Sequence, residues 1–143
     1  MKKAAVIYWS GTGNTEMMAN CIADGVREAG GEAVLIAPGE FSAGRLDEFG
    51  AVAFGCPSMG VEQLEDGEFD PMFSEVEPSL SGRKIALFGS YGWGDGQWMR
   101  DWCARCQAAG ADLLEEEGTV ANDAPGDDEQ DACRELGRRL AAW

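Results

Sequence analysis

Histidine is absent from all 143 residues of the chain. Its absence removes the commonest general base at neutral pH and the commonest nitrogen ligand for a metal. Basic residues are scarce as well: 11 lysines and arginines stand against 26 aspartates and glutamates, a formal charge of −15 at pH 7. Such a surface repels nucleic acid and anionic membranes. It steers the chain toward partners with basic docking faces, or serves solubility alone. Long apolar runs are also missing, and no segment approaches the ~20 residues needed to cross a bilayer. Neither nucleic acid nor a membrane is therefore an expected partner. The start Met1-Lys2-Lys3 has the charge of a secretion signal's first region, but the apolar run Ala4 to Trp9 is cut by Ser10-Gly11 and is too short for a signal core. A cytoplasmic location is the expectation.

Five cysteines (Cys21, Cys56, Cys103, Cys106 and Cys133) form an odd set without framework spacing, which fits reduced thiols. Cys103-Ala104-Arg105-Cys106 is a lone CxxC. A zinc site would want a second pair or histidines, and a dithiol redox site would want the start of a helix. This pair falls inside a helical stretch and reads as helix-face cysteines. No metal site is expected, and no nucleophile–base pair is available.

What the chain does have is a rhythm. Apolar residues make up 45% of it, enough for one buried core, and residues 1–143 read as one domain. Short apolar runs alternate with helical patterns, which predicts a parallel sheet covered on both faces. Strands are expected at Ala4–Trp9, Ala33–Ile36, Ala51–Cys56 and Lys84–Gly89, with a fifth, partly exposed, between Asp112 and Val120. Helices are expected from Thr15 to Ala29, around Phe69 to Val76, from Gln97 to Ala109 and from about Asp127 to Ala142. In the first of these, Met17, Met18, Cys21, Ile22 and Val26 form the apolar stripe.

In doubly wound sheets ligands sit beyond the carboxyl ends of the strands, where strand order reverses. The loops after strands one, three and four are therefore the informative ones. The first reads Ser10-Gly11-Thr12-Gly13-Asn14-Thr15-Glu16: hydroxyls, an amide and two glycines at the mouth of a helix. Backbone N–H groups at a helix start bind anions, and small residues let the backbone wrap a phosphate. Without a lysine or the Walker A spacing, it suits one terminal phosphate rather than a triphosphate. Alone, it could equally be a capped strand-to-helix turn. The second loop, Cys56-Pro57-Ser58-Met59-Gly60-Val61-Glu62, offers a polarisable thioether for an aromatic face and a carboxylate able to accept from a ring N–H. Taken singly, Met59 is more often core and Glu62 more often a solvated charge. The third, Gly89-Ser90-Tyr91-Gly92-Trp93-Gly94-Asp95-Gly96, frames a tryptophan with glycines, a flexible backbone presenting one flat ring for stacking.

A single-phosphate cradle with a methionine ledge and a tryptophan ledge describes FMN. With those three motifs together, the chain resembles the flavodoxins, specifically the short-chain type of anaerobic bacteria, over nearly its whole length. The resemblance implies a three-layer α/β fold with a five-stranded parallel sheet in the order 2-1-3-4-5 and helices on both faces. It implies non-covalent FMN and one-electron transfer, cycling between semiquinone and hydroquinone. Ser10, Gly11, Thr12, Gly13, Asn14 and Thr15 would hold the phosphate. Met59 would lie on the inner face of the isoalloxazine and Trp93 on the outer, with Pro57 and Ser58 beside them. The backbone of Gly60 would answer to flavin N5, the Glu62 side chain to N3–H, and backbone around Gly92 and Gly94 to the pyrimidine end, with Ser90 and Tyr91 also among the cofactor-binding residues. Asn122 matches a position near the cofactor's polar side. Pro57 and Val61 depart from residues common in relatives, a hydroxyl and a small polar side chain respectively.

The implied partners are redox enzymes with basic docking faces, such as ferredoxin- or flavodoxin-dependent oxidoreductases, and a monomer is expected. The alternative is an FMN-dependent NAD(P)H:quinone reductase of the same fold, which would need an open flavin face where Trp93 is expected. A phospho-acceptor signalling domain shares the strand order. It would require an acidic pair after strand one and a lysine after strand five, and the chain has neither.

Overall fold

In the computed structural model, which describes residues 3–143, the opening apolar run forms β1 (Lys3–Tyr8). Met1 and Lys2, part of the charged start, lie outside the described residues. Residues of β1 alternate between two cores: Ala5 and Ile7 face one, Ala4 and Val6 the other. A strand apolar on both faces has to be covered on both. The chain continues through α1 (Asn14–Glu28), β2 (Glu32–Ile36), β3 (Ala51–Gly55), α2 (Phe69–Val76), β4 (Lys84–Tyr91), α3 (Gln97–Ala108), β5 (Asp112–Leu113), β6 (Thr119–Asn122) and α4 (Asp127–Ala142).

All strand pairs are parallel, in the order β2-β1-β3-β4-β5, with β6 also on β4. Helices α2 and α3 cover one face through Phe69, Phe73, Trp98 and Trp102; α1 and α4 cover the other through Met18, Ile22, Leu136 and Leu140. The first core is aromatic and held edge-on: Phe54 meets Phe73 at 5.2 Å, and Trp102 meets Phe69 at 5.5 Å, separations and tilts that suit ring quadrupoles.

Two sequence expectations are corrected. The expected fifth strand is two short ones, β5 and β6, which take successive stretches of the β4 edge: Lys84 and Ile85 pair with Asp112 and Leu113, and Phe88 to Tyr91 pair with Thr119 to Asn122. Between them the chain bends out over Leu114–Glu117. Three consecutive carboxylates would send alternate charges into the helical layers if they stayed in the sheet, a burial too costly without partners. Instead Glu115 accepts from Arg139 Nη1 at 3.2 Å. Second, Met17 is not in the α1 stripe. It is 43% exposed, while Met18, Ala19, Ile22, Ala23 and Val26 are fully buried.

All five cysteines are buried and free. Burial pushes the thiols of Cys56, Cys106 and Cys133 up to about 12 and raises that of Cys103. Cys103 and Cys106 thus sit in the α3 core face as expected from their place in a helix.

Helices α1 and α4 touch backbone to backbone. A Cβ on Gly137 would run into the Ile22 carbonyl, and one on Gly25 into the Arg134 carbonyl. Alanine at 137 should therefore destabilise the fold by roughly 1–3 kcal/mol through overpacking, although intrinsic helix propensity alone favours alanine over glycine by about 1 kcal/mol. Urea unfolding checks the sign. A lower midpoint at unchanged slope supports the close crossing, and a more stable variant refutes it.

Candidate functional site

The carboxyl end of β4 gathers the loops. The Ser90 carbonyl accepts the Ser58 N–H at 2.9 Å, which fixes the loop after β3. The Ser90 and Thr15 hydroxyls share a buried hydrogen bond at 3.1 Å, which fixes the loop after β1. The Tyr91 carbonyl accepts the Asp123 N–H at 2.7 Å and the Asn122 Nδ2 at 3.2 Å, which fixes the turn after β6. Three segments that are distant in sequence are thereby pinned to two neighbouring residues.

The loop after β1 turns into α1 through Gly13, whose φ is +96°. Ser10 Oγ accepts from the N–H groups of Gly13 at 3.1 Å and Glu16 at 3.2 Å. The first N–H groups of a helix have no carbonyl a turn behind them and point outward. With Gly13 and Glu16 satisfied by Ser10, those of Asn14 and Thr15 are the helix-start donors left for an anion.

The loop after β3 closes on itself. Met59 and Gln63 exchange backbone hydrogen bonds at 2.8 and 2.9 Å around Gly60 (φ +54°) and Glu62 (φ +52°). Cys56 holds its base: its carbonyl accepts Trp98 Nε1–H at 3.1 Å, and its sulfur accepts the Glu65 N–H at 3.3 Å. The Glu65 carboxylate receives the N–H groups of Gly67, Glu68 and Phe69, each at 2.8 Å. Burial pulls this carboxyl upward, but the three donors outweigh it and hold it below the usual carboxylate range.

A cleft of about 230 Å³ lies between these loops, lined by Trp9, Gly11, Thr12, Asn14, Pro57, Ser58, Met59, Ser90, Tyr91, Gly92 and Asp123. Nine of these were expected from sequence. Trp9 and Asp123 were not. Trp9 reads as the last residue of an apolar strand, yet it lies beyond β1, and its ring packs on Gly11, where a Cβ would sit 3.1 Å from Trp9 Cη2. Asp123 follows Asn122 with a left-handed φ of +59°. A bulky aromatic immediately before Ser10-Gly11 was the available signal for the first, and nothing in the sequence marked the second.

The other expected residues surround the cleft without lining it. Thr15 is buried beneath, with its hydroxyl directed to Ser90, and Ser10 and Gly13 shape the turn. Gly60, Val61, Glu62, Trp93 and Gly94 belong to the two outer turns, and Trp93 is 61% exposed. The Asn122 amide nitrogen is taken up by Tyr91. Loops 10–16, 57–63 and 90–96 contain no lysine or arginine, whereas Glu16, Glu62 and Asp95 lie in them. The donors facing the cleft's phosphate end are thus backbone N–H groups and hydroxyls, and its walls offer indole, thioether and phenol surface. That set fits a planar aromatic ligand carrying one phosphate.

These features define a doubly wound α/β fold with a cleft at its switch point suited to a planar ligand carrying one phosphate. A family model for flavodoxin matches residues 6–137. A flavodoxin from Clostridium beijerinckii is 44% identical over 136 residues, covering 95% of this chain and 97% of its own length. One from Megasphaera elsdenii is 41% identical over 137 residues, covering 95% and 96%. The solution structure of two-electron-reduced Megasphaera elsdenii flavodoxin aligns with a TM-score of 0.89 at 38% identity, over 98% of this chain and 99% of that one. The chain belongs to the flavodoxin family, whose members are FMN-dependent electron carriers rather than enzymes acting on a substrate.

The Thr15–Ser90 pair gives a direct check on the gathering of loops. Ser90→Ala should destabilise by roughly 1–3 kcal/mol, because it strands a buried hydroxyl, whereas Thr15→Val with Ser90→Ala removes both partners and should recover much of the loss. Chemical denaturation of the single and double variants measures the coupling. Additive losses would show that the two hydroxyls are independent.

Proposed function

We propose that residues 1–143 act as one cofactor-binding unit, a low-potential carrier that holds FMN non-covalently in the cleft and moves one electron at a time. The observation that carries this reading is the cation-free phosphate end of a cleft whose walls are aromatic and thioether surface. Backbone and hydroxyls from Ser10 to Thr15 hold the phosphate. Met59 supports the inner ring face and Trp93 covers the outer one. Gly60 presents its backbone to N5, Glu62 its side chain to N3–H, and the backbone around Ser90, Tyr91, Gly92 and Gly94 meets the pyrimidine end. Pro57 and Ser58 form the floor beside Trp9, and Asn122 and Asp123 close the polar side. FMN supplies the one-electron chemistry, and the residues bind it, exclude water and set its potential.

The acidic surface supports docking to redox enzymes with basic faces, as a monomer in the cytoplasm. Among the described residues no helix is long and apolar enough to cross a membrane. The same fold unit also occurs inside larger oxidoreductases: a nitric oxide reductase from Moorella thermoacetica is 28% identical over 98% of this chain, which spans only 36% of that protein. A quinone reductase reading needs the outer ring face free for a second substrate, and the Trp93 loop stands against it.

Electrostatics set the expected potential. A carboxylate ~10 Å from the ring opposes a new negative charge by about 1.7 kcal/mol at an effective dielectric of ~20, and ~59 mV corresponds to about 1.4 kcal/mol for one electron. Each acidic neighbour therefore counts for tens of millivolts before salt screens it. Acid treatment should release about one FMN per chain. Potentiometric titration should show a strongly negative second step that rises with ionic strength. A salt-independent step contradicts the electrostatic account, and rapid oxidation of NAD(P)H by the purified protein contradicts the carrier reading.

A further inference from the structure

The turn after β3 and the loop after β4 are joined by a single side chain. Glu62 Oε1 accepts the backbone N–H of Gln97, the first residue of α3, at 3.0 Å across 35 residues of sequence. The residue just before α3 is Gly96, which has no side chain with which to cap the helix. Helix-start N–H groups left without an acceptor cost stability, and an anionic acceptor there is further favoured by the helix dipole. The required acceptor thus comes from another loop.

Two further observations fit a built contact. Glu62 adopts φ +52°, and the only other non-glycine residue in that region among the described residues is Asp123, which lines the cleft. Left-handed backbone on a residue other than glycine persists where its surroundings hold it. Opposite Glu62, Gly94 at φ +84° leaves the room the carboxylate needs: a Cβ there would stand 2.6 Å from Glu62 Cδ and Oε1. The segment from Gly92 to Gly96 is consequently held at both ends. Asn122 and Asp123 fasten Tyr91, and Glu62 fastens Gln97. Trp93 lies between the two clamps.

We propose that Glu62, in addition to its proposed contact with N3–H, is a positioning residue for the Trp93 loop: its Oε1 caps α3 in place of the missing side chain at Gly96 and so locks the two turns flanking the flavin into one unit. This deepens the reading of Trp93 as a cofactor ledge and rests on it for its functional meaning. The capping itself is independent of cofactor. Reach matters here as much as charge, because the contact spans from one turn to another.

The test is amide hydrogen exchange by NMR on the FMN-free protein, compared with FMN affinity. In Glu62→Ala the Gln97 amide should exchange about fivefold faster, the effect expected for loss of a helix cap, and the amide signals of residues 93–97 should shift. Glu62→Asp, which keeps the charge but loses one methylene of reach, should behave like the alanine variant. Glu62→Gln, whose carbonyl still accepts, should retain most of the protection. Affinity for FMN should fall in the alanine and aspartate variants through loss of either Glu62 contact, so exchange at Gln97 in the FMN-free protein is the deciding readout. Gly94→Ala should also speed exchange at Gln97 in the parent chain but have less than twofold effect in the Glu62→Ala background. Unchanged exchange at Gln97 in FMN-free Glu62→Ala and Glu62→Asp overturns the proposal, as does strict additivity with Gly94→Ala. Because these readouts need no cofactor, failure of the positioning role is distinguishable from failure of the FMN reading, which would appear as no FMN binding in any variant.

Discussion

The site depends on what happens at Ser90 and Tyr91, the last residues of β4. A parallel sheet delivers its strands to one edge but leaves their loops unconnected, and free loops would have to be ordered by the ligand at the ligand's expense in affinity. Here the backbone carbonyls of two adjacent residues and one buried hydroxyl hold the loops after β1, β3 and β6. The edge of β4 is available for this because β6 pairs with it as far as Tyr91–Asn122. The outward bend over Leu114–Glu117 lets the chain return in register. The break in the fifth strand and the geometry of the cleft are therefore linked.

The same economy appears at the helix starts. Three helices begin without a side chain at the capping position that serves them, and each borrows an acceptor. Ser10 serves α1 from three residues before Gly13, Glu65 serves α2, and Glu62 serves α3. The start of α1 keeps the N–H groups of Asn14 and Thr15 for a ligand, which supports a phosphate at that end of the cleft. The absence of lysine and arginine from the three loops then has a clear consequence. A phosphate at the α1 end of the cleft would meet neutral donors, and a ring in the cleft would lie in a field of carboxylates that opposes further reduction.

Much of the architecture could be read from residue patterns. The helices Phe69–Val76 and Asp127–Ala142 fall where periodicity puts them, since each has a continuous apolar stripe. The alternation of β1 between two cores was implicit in its being apolar from Ala4 onward. What could not be read came from contacts across the sequence. Met17 and Met18 are indistinguishable in a hydropathy pattern, and only the direction of α1 against α4 decides that the second is buried. Thr15 was expected at the phosphate; its backbone N–H stays available there, while its hydroxyl meets Ser90, a contact that no residue pattern shows. Trp9 was missed by counting it in the strand. Glu62 was legible as a carboxylate near the ring, but its bond to Gln97 depends on how two loops approach in space.

On the proposed reading, the start of α1 and the loop 10–15 form a preorganised phosphate site on which the mononucleotide cleft is built. Its most direct test compares FMN with riboflavin, the same ring without the phosphate, by calorimetric titration of the FMN-free protein. The account predicts one binding site and an affinity for FMN at least ~100-fold higher, the equivalent of about two charge-assisted hydrogen bonds at the low end of their range. Equal affinity for the two ligands would contradict it, because binding would then rest on the ring alone.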